Sequence, residues 1–334
     1  MDADYACLGD VTRDVFFFIN EANISCDLNK ENCKLTLNYG EKIPVEKIGQ
    51  SVGGNAANVS AGLAKLGIKA KLVTAFGDDD RSVIIKRELL EGGVDLENSI
   101  TEPGRESNLS GIIVFKGERT ILTYHADRPD PDFRLPSAKF FYITSSSGRS
   151  SESLYQKVLA YKTSHQEAEI AFNPSTSDLR HGLEYLPNVL KSVNVLLLNW
   201  EEAEILIGKE YSKNPDKKNA NAKTMLKETS LLGPTFVAVT DGAGGSYSFF
   251  NDTYFYTPPS PHAPFETTGA GDAFSSGFLG SLFYSHSDVK TAIAWGAVNA
   301  GSVITKIGGQ AGLLSKAEIE KYLTDNPEFR PKEI

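Results

Sequence analysis

Between Phe140 and Thr240 the chain presents four short apolar runs: Phe140-Phe141-Tyr142-Ile143-Thr144, Ala168-Glu169-Ile170-Ala171-Phe172, Val193-Asn194-Val195-Leu196-Leu197-Leu198 and Phe236-Val237-Ala238-Val239-Thr240. Longer stretches of helical character separate them. Runs this apolar leave no face suited to water, and helices between them supply the cover. The pattern predicts an α/β fold of three layers, with a mostly parallel central sheet covered on both faces.

Outward from this stretch the rhythm continues, with two interruptions. Tyr5 to Leu8 reads as the first strand, ended by Gly9-Asp10. Gly53-Gly54-Asn55 opens a helix whose apolar side is Ala57, Val59, Ala61, Leu63, Ala64 and Leu66, closed by Gly67. A strand over Lys71 to Phe76 and a helix from Asp80 to about Leu90 follow. The first interruption is Val15 to Ile19, Ile24 to Leu28, Cys33 to Leu37 and Lys42 to Ile48, strand-like runs broken at 29–32 and 38–40. The second is Ser110 to Phe115 and Arg119 to Tyr124, joined by a Lys116-Gly117-Glu118 hairpin signal. Both read as antiparallel ribbon. Residues 1–14, 50–108 and 126–334 are therefore assigned to one α/β domain, and 15–49 with 109–125 to a small β excursion.

Composition narrows the function. The 334 residues carry a formal net charge of −9, which argues against a nucleic-acid partner, since phosphate backbones attract a basic face. Met1 to Leu8 has no apolar signal core, and no apolar run approaches the roughly 18–20 residues of a membrane span. Three cysteines (Cys7, Cys26, Cys33) show no metal or redox spacing and read as thiols of a reducing compartment, so a cytoplasmic protein is expected. Five scattered histidines give no zinc pattern.

The densest chemical signal is Thr267-Thr268-Gly269-Ala270-Gly271-Asp272-Ala273-Phe274, leading into Ser275, Ser276, Gly277 and Gly280. Glycines ahead of a small-residue helix leave N–H donors open at its start, where the helix dipole favours phosphoryl oxygens. An aspartate in that first turn is placed to accept a proton from an attacking hydroxyl. On physics alone the alternative stands equally: glycines for tight packing and an aspartate favoured by the dipole. No Gly-Lys-Ser/Thr follows, so this is not a Walker A loop.

Thr267 to Phe274 resembles the second signature of the PfkB, or ribokinase-like, family of carbohydrate kinases. Gly53-Gly54, followed by Asn58 and a small-residue helix, resembles the first signature, in the family's order. The resemblance implies a ribokinase-like αβα domain with a β-sheet lid formed by the excursion. It implies ATP and Mg²⁺ as cofactors and a small-molecule sugar or nucleoside as partner. Asp272 would be the catalytic base, with Gly269, Ala270 and Gly271 as the anion hole. Asp14, in a Gly9-x-x-Thr12-x-Asp14 match, would bind acceptor hydroxyls with Gly53, Gly54 and Asn58. Asn199 and Glu202 match the family's N-x-x-E motif, which organises Mg²⁺ through its waters. Thr240, Gly242 and Gly245 match its nucleotide turn, and Asn299 with the 308–312 turn, Gly308 first, its adenine-side wall. Asn173 falls near the transferred phosphate. Tyr124, His125 and Phe16 to Phe18 are the lid's aromatic candidates.

Three positions depart from the pattern. Glu266 stands where the family usually has Asp, in a loop that with Thr268 binds a monovalent cation in many members, and this counts against K⁺ activation. Thr12 replaces the usual Asn, and Asn55 a Lys. The sequence leaves a sugar kinase first and a nucleoside kinase second. A phosphosugar acceptor ranks lower, because the first motif lacks basic character beside it. A non-catalytic binding protein on the same fold is the remaining alternative. Exposed edges on the lid ribbon suggest a homodimer through the lid.

Overall fold

The computed structural model describes residues 2–26, 33–128, 132–146, 150–180, 186–211, 215–285 and 288–334. In chain order its elements are β1 (Ala3–Leu8), β2 (Thr12–Ile19), β3 (Asn23–Cys26), β4 (Cys33–Thr36), β5 (Val45–Gly53), α1 (Asn55–Lys65), β6 (Ala70–Val73), β7 (Ala75–Phe76), α2 (Asp80–Glu91), β8 (Ile100–Thr101), β9 (Leu109–Phe115) and β10 (Glu118–Tyr124). Then come β11 (Ala138–Thr144), α3 (Ser150–Ser164), β12 (Glu169–Asn173), α4 (Thr176–Arg180), α5 (Leu186–Leu190), β13 (Val195–Asn199), α6 (Trp200–Ile207), α7 (Pro215–Ser230) and β14 (Phe236–Thr240). The chain ends with β15 (Ser246–Phe250), β16 (Thr253–Thr257), α8 (Ala270–Ser285), α9 (Val289–Val303), α10 (Lys316–Asp325) and β17 (Lys332–Glu333).

Nine strands form one sheet in the order β17-β16-β15-β14-β13-β12-β11-β1-β6. The six from β14 to β6 are parallel, as the apolar runs predict. Alternation along single strands feeds both layers. On β13, Val195 and Leu197 enter the core under α1, α8 and α9, while Leu196 and Leu198 enter the core under the helices of the opposite face. Helices α1 and α8 meet closely because a Cβ on Gly62 would fall 2.2 Å from Ser276 Oγ. Among the described residues, no helix is long and apolar enough to cross a membrane.

The antiparallel addition β15–β16–β17 at the sheet's edge is absent from the sequence reading. Its signal is the two-residue turn Asn251-Asp252, whose φ angles of 47° and 57° suit a tight hairpin.

The excursion forms a second, four-stranded sheet, β10-β9-β2-β5. Here the expectation of an all-antiparallel ribbon is corrected: β2 and β9 pair in parallel, because both leave the large domain in the same direction. Strands β2 and β5 reach back to Thr12 and Gly53, which carries Asp14 and Gly53 into the small sheet. Phe16, Ile112 and Val114 form its core, with Phe18 and Ile307 packed on them, and Ile307 belongs to the large domain. Phe18 also meets Phe265, ring centroids 5.9 Å apart. The small sheet is therefore docked on the large domain.

Strands β3 and β4 make a separate exposed hairpin; the turn expected at 29–32 lies outside the described residues. The cysteine reading is also corrected. Cys26 and Cys33 sit directly opposite each other and form a disulfide, leaving Cys7 as a buried free thiol. Cross-strand register, invisible in linear spacing, brings the two sulfurs together.

Candidate active site

Parallel strands end together, and their C-terminal ends carry the site's polar residues. Asn173 ends β12, Asn199 ends β13 and Thr240 ends β14, with Asn199 directly beside Thr240 in the ladder. Opposite them the Thr267–Gly269 turn opens α8, and Gly269 holds φ at +76°. A Cβ there would lie 2.4 Å from Gly309 Cα, so only glycine admits the turn. Around Gly271 there is open space instead. The N–H of Ala270 makes a long contact of 3.3 Å to the Thr267 carbonyl. The first-turn N–H groups thus face a cavity of about 230 Å³ lined by Asn173, Asn199, Glu202, Thr240, Asp272 and Arg119, among others.

Asp272 lies in the first turn of α8 and is 8% exposed. Burial pushes its carboxyl up to about 7; a hydrogen bond from Asn58 opposes the rise, while Glu202 and Asp14 add to it. The Asn58 bond is 2.8 Å long and crosses 214 residues of sequence. Thus the two motifs at 53–58 and 267–274 meet at one carboxylate.

At the first motif, a Cβ on Gly53 would lie 2.0 Å from Asp14 Oδ2, and one on Gly54 would lie 2.5 Å from the Asp10 carbonyl. The Gly-Gly pair therefore lets β2 and α1 approach. Asp14 is buried, which raises its carboxyl pKa, while hydroxyl bonds from Thr12 and Ser110 work the other way. The Thr12 bond measures 2.6 Å, so Thr12 steadies the aspartate. Of the aromatic candidates, Phe16 is fully buried packing and Tyr124 is exposed, while His125 faces Asp10 at 3.3 Å.

Asn199 and Glu202 form a reciprocal capping box at the start of α6. Asn199 Oδ1 accepts from Glu202 N at 2.8 Å, and Glu202 Oε2 from Asn199 N at 2.9 Å. Glu202 Oε1 also accepts from Thr176 at 3.3 Å. Burial raises the Glu202 carboxyl pKa. Among the described residues no cluster of three acidic, His or Cys groups could bind a metal directly. The donor set fits a hydrated Mg²⁺ held through its waters, since the cap already engages both side chains.

A second cavity of about 290 Å³ adjoins the first and shares Thr240, Thr267, Ala270, Gly271 and Phe274 with it. Gly242 and Gly245 line it. Its α9 wall is Ala297, Ala300 and Gly301, whereas Asn299 and Gly308 do not line it. Asn299 is fully buried, donating to the Ala273 carbonyl and accepting from Leu314 N, so it bolts α9 to α8 and to the 314 loop. Gly308 packs on Ser51 and donates its N–H to Glu266.

Glu266 is buried and accepts backbone N–H bonds from Thr268 at 2.6 Å and Gly308 at 3.3 Å. Its carboxylate ties the loop ahead of α8 to the loop after α9. The Thr268 hydroxyl beside it is buried without a hydrogen-bond partner.

Two residues, Arg119 and Lys218, escaped the sequence reading as site residues, and Gln310 was read only as part of the 308–312 turn. Arg119 on β10 reaches from the small sheet to the Thr267 hydroxyl and lies 4.0 Å from Glu266; it is the one cationic side chain among the described residues lining the first cavity. Lys218 of α7 pairs with Asp241 in the 240–245 turn. Gln310 donates to Asn58 at 3.0 Å. No local pattern marks them, because each acts on a residue distant in sequence.

The family model for pfkB family carbohydrate kinases matches residues 16–316. An ATP-dependent ribose-1-phosphate kinase of Halopiger xanaduensis is 28% identical over 267 residues, 75% of this chain and 81% of that one. A 5-dehydro-2-deoxygluconokinase of Bacillus subtilis is 24% identical over 291 residues, 81% and 86% of the two chains. The nucleoside kinase of Methanocaldococcus jannaschii, an archaeal member of the ribokinase family, superposes with a TM-score of 0.74 at 19% identity, covering 98% of this chain and 99% of that one. With two signature motifs converging on one buried aspartate, this chain belongs to the pfkB family of carbohydrate kinases.

Proposed function

We propose that the enzyme transfers the γ-phosphoryl group of ATP to a primary hydroxyl of a small, uncharged sugar. The observation that carries this reading is Asp272, buried at the open N-terminus of α8 and bonded by Asn58 beside the acceptor-side Asp14. Asp272 takes the proton of the attacking hydroxyl, and the N–H groups of the Gly269–Gly271 turn receive the charge that develops on the transferred group. Asp14 accepts hydrogen bonds from the sugar's hydroxyls. Mg²⁺, when held through waters by Asn199 and Glu202, supplies charge neutralisation at the phosphates. The nucleotide's base fits the second cavity, whose walls combine small residues such as Ala297, Ala300 and Gly301 with the apolar Phe274, Ile304 and Pro258. The docked small sheet excludes water from the transfer.

Acceptor charge follows from the walls. Asp14, Glu266 and Asp272 lie near one another on the acceptor side, Arg13 there is already taken by Glu88 at 2.9 Å, and Arg119 is engaged by Thr267 and Glu266. These carboxylates favour a donor-rich polyol over a phosphosugar. The nucleoside reading is second, because Phe16 and Phe18 are committed to packing and offer a base no free ring.

A homodimer through the lid is part of the proposal. On the face of the small sheet away from Ile307, Ile48 and Leu122 are 60% and 61% exposed, near half-buried Phe17. Pairing two such faces would cover them. A monomeric mass for the wild type in light scattering at micromolar concentration would count against it.

The test of the activity is ADP release from Mg-ATP with pentoses, hexoses, sugar acids, ribose 1-phosphate and nucleosides as acceptors. Turnover on a free sugar supports the proposal. Turnover confined to nucleosides or to ribose 1-phosphate refutes its acceptor class.

A further inference from the structure

Asn58 is a poor helix former placed inside α1, 3% exposed, with its own backbone N–H already bonded to the Gly54 carbonyl. Its side chain has two unlike ends, an acceptor oxygen and a donor nitrogen. An ionised Asp272 can only accept, so Asn58 is useful to it in one orientation and harmful in the other. A protonated Asp272 can meet either end, so the carboxyl by itself does not hold the orientation across its titration. Gln310 supplies one: its Nε2 donates to Asn58 Oδ1 at 3.0 Å, which leaves Asn58 Nδ2 to face Asp272 Oδ2 at 2.8 Å.

We infer that Gln310 is a positioning residue for the catalytic base, fixing the direction of the Asn58 amide so that its NH₂ end, not its oxygen, meets Asp272. The turn that bears Gln310 is built for close approach. A Cβ on Gly309 would lie 2.7 Å from Asn58 Nδ2, while Gly309 itself abuts Gly269. The same turn thus touches the anion-binding loop and the partner of the base. Its neighbour Gly308 is tied through Glu266 to Thr268. The inference rests on Asp272 as base and deepens that reading.

The sign of the effect follows from the chain of donors. Losing Asn58's donation removes support for the carboxylate, so Asp272 holds its proton more tightly. The other groups around Asp272 are Glu202 from α6, Asp14 from β2, Tyr142 from β11 and Arg119 from β10. None of them bonds Gln310 in the described structure, so a change at 310 reaches the base through Asn58.

The experiment is a ¹³C carboxyl titration of Asp272 in the full-length protein, its signal assigned by loss in Asp272→Asn and needing no acceptor. Gln310→Met keeps length and removes the amide. Gln310→Glu presents acceptor oxygens that draw the Asn58 NH₂ away from Asp272. A charge-assisted hydrogen bond is worth about 1.5–3 kcal/mol, so Gln310→Glu should raise the proton affinity of Asp272 about tenfold or more, and Gln310→Met by less in the same direction. Thermal melts of both variants show that the fold is kept. A wild-type midpoint near 7 that neither folded variant moves overturns the positioning role alone. A wild-type midpoint in the ordinary carboxylate range overturns the raised-base reading, and the role of Gln310 with it.

Discussion

Replacing Phe16 by Ala tests whether the docked small sheet governs acceptor binding and water exclusion. Phe16 is fully buried between Ile112 and Val114 of its own sheet and Ile307 of the large domain. Full removal of a buried ring costs about 3–5 kcal/mol. Much of the contact lies within the small sheet, where Phe16 is paired with Ile112 in register. If about half of the cost falls on docking, the docked state loses about 2 kcal/mol, roughly a 30-fold shift of its population against the open one. The expected result is an acceptor KM raised by up to about 30-fold, with acceptor-free ATP hydrolysis increased relative to transfer. The assay measures both rates on one preparation, beside a thermal melt. A Tm lowered by several degrees, with KM and hydrolysis unchanged, would refute the reasoning and reduce the cluster to a stabilising core.

The other outcomes follow from the site's geometry. Transfer should fall about tenfold for each pH step below about 7, because Asp272 is useful only when ionised and burial raises its pKa to about 7; a flat profile from pH 5 to 8 is the contrary result. Gly269→Ala places a Cβ 2.4 Å from Gly309 Cα at a positive φ. It should cut kcat by about 10²-fold or more, measured by single-turnover transfer on a protein of wild-type secondary structure. Exchange of K⁺ for Na⁺ should leave kcat unchanged within about twofold, because Glu266 already ties together the loops at 268 and 308; strong K⁺ activation in a salt-matched assay would contradict this.

The sheet was legible because buried parallel strands carry a one-dimensional signature: Phe140 to Thr144 and Phe236 to Thr240 are apolar on both faces and announce cover on both. Asp272 and the Gly269 turn were legible for a similar reason, since a helix start and its glycines are neighbours in sequence. What sequence alone missed depends on register or on distance. The Cys26–Cys33 pairing is a matter of strands aligned across a turn. The parallel pairing of β2 with β9 joins segments about ninety residues apart in the chain. Which α9 residues face the second cavity, Ala297, Ala300 and Gly301, could not be read from a small-residue helix whose faces look alike in sequence. Asn199 and Glu202 share one spacing between two uses, a cap and a site for a hydrated cation, and the structure displays the cap. Gln310 and Arg119 become visible only once the loop after α9 and the strand β10 are folded against Asn58 and Thr267.

The most direct measurement of the central claim is single-turnover transfer from γ-labelled ATP to the best acceptor of the panel, comparing the wild type with Asp272→Asn at pH 8. The account predicts that Asp272→Asn still binds Mg-ATP with near-normal affinity but transfers at least about 10²-fold more slowly. Transfer at a near-normal rate in Asp272→Asn would contradict it, and the base would have to be sought elsewhere among the groups lining the cavity.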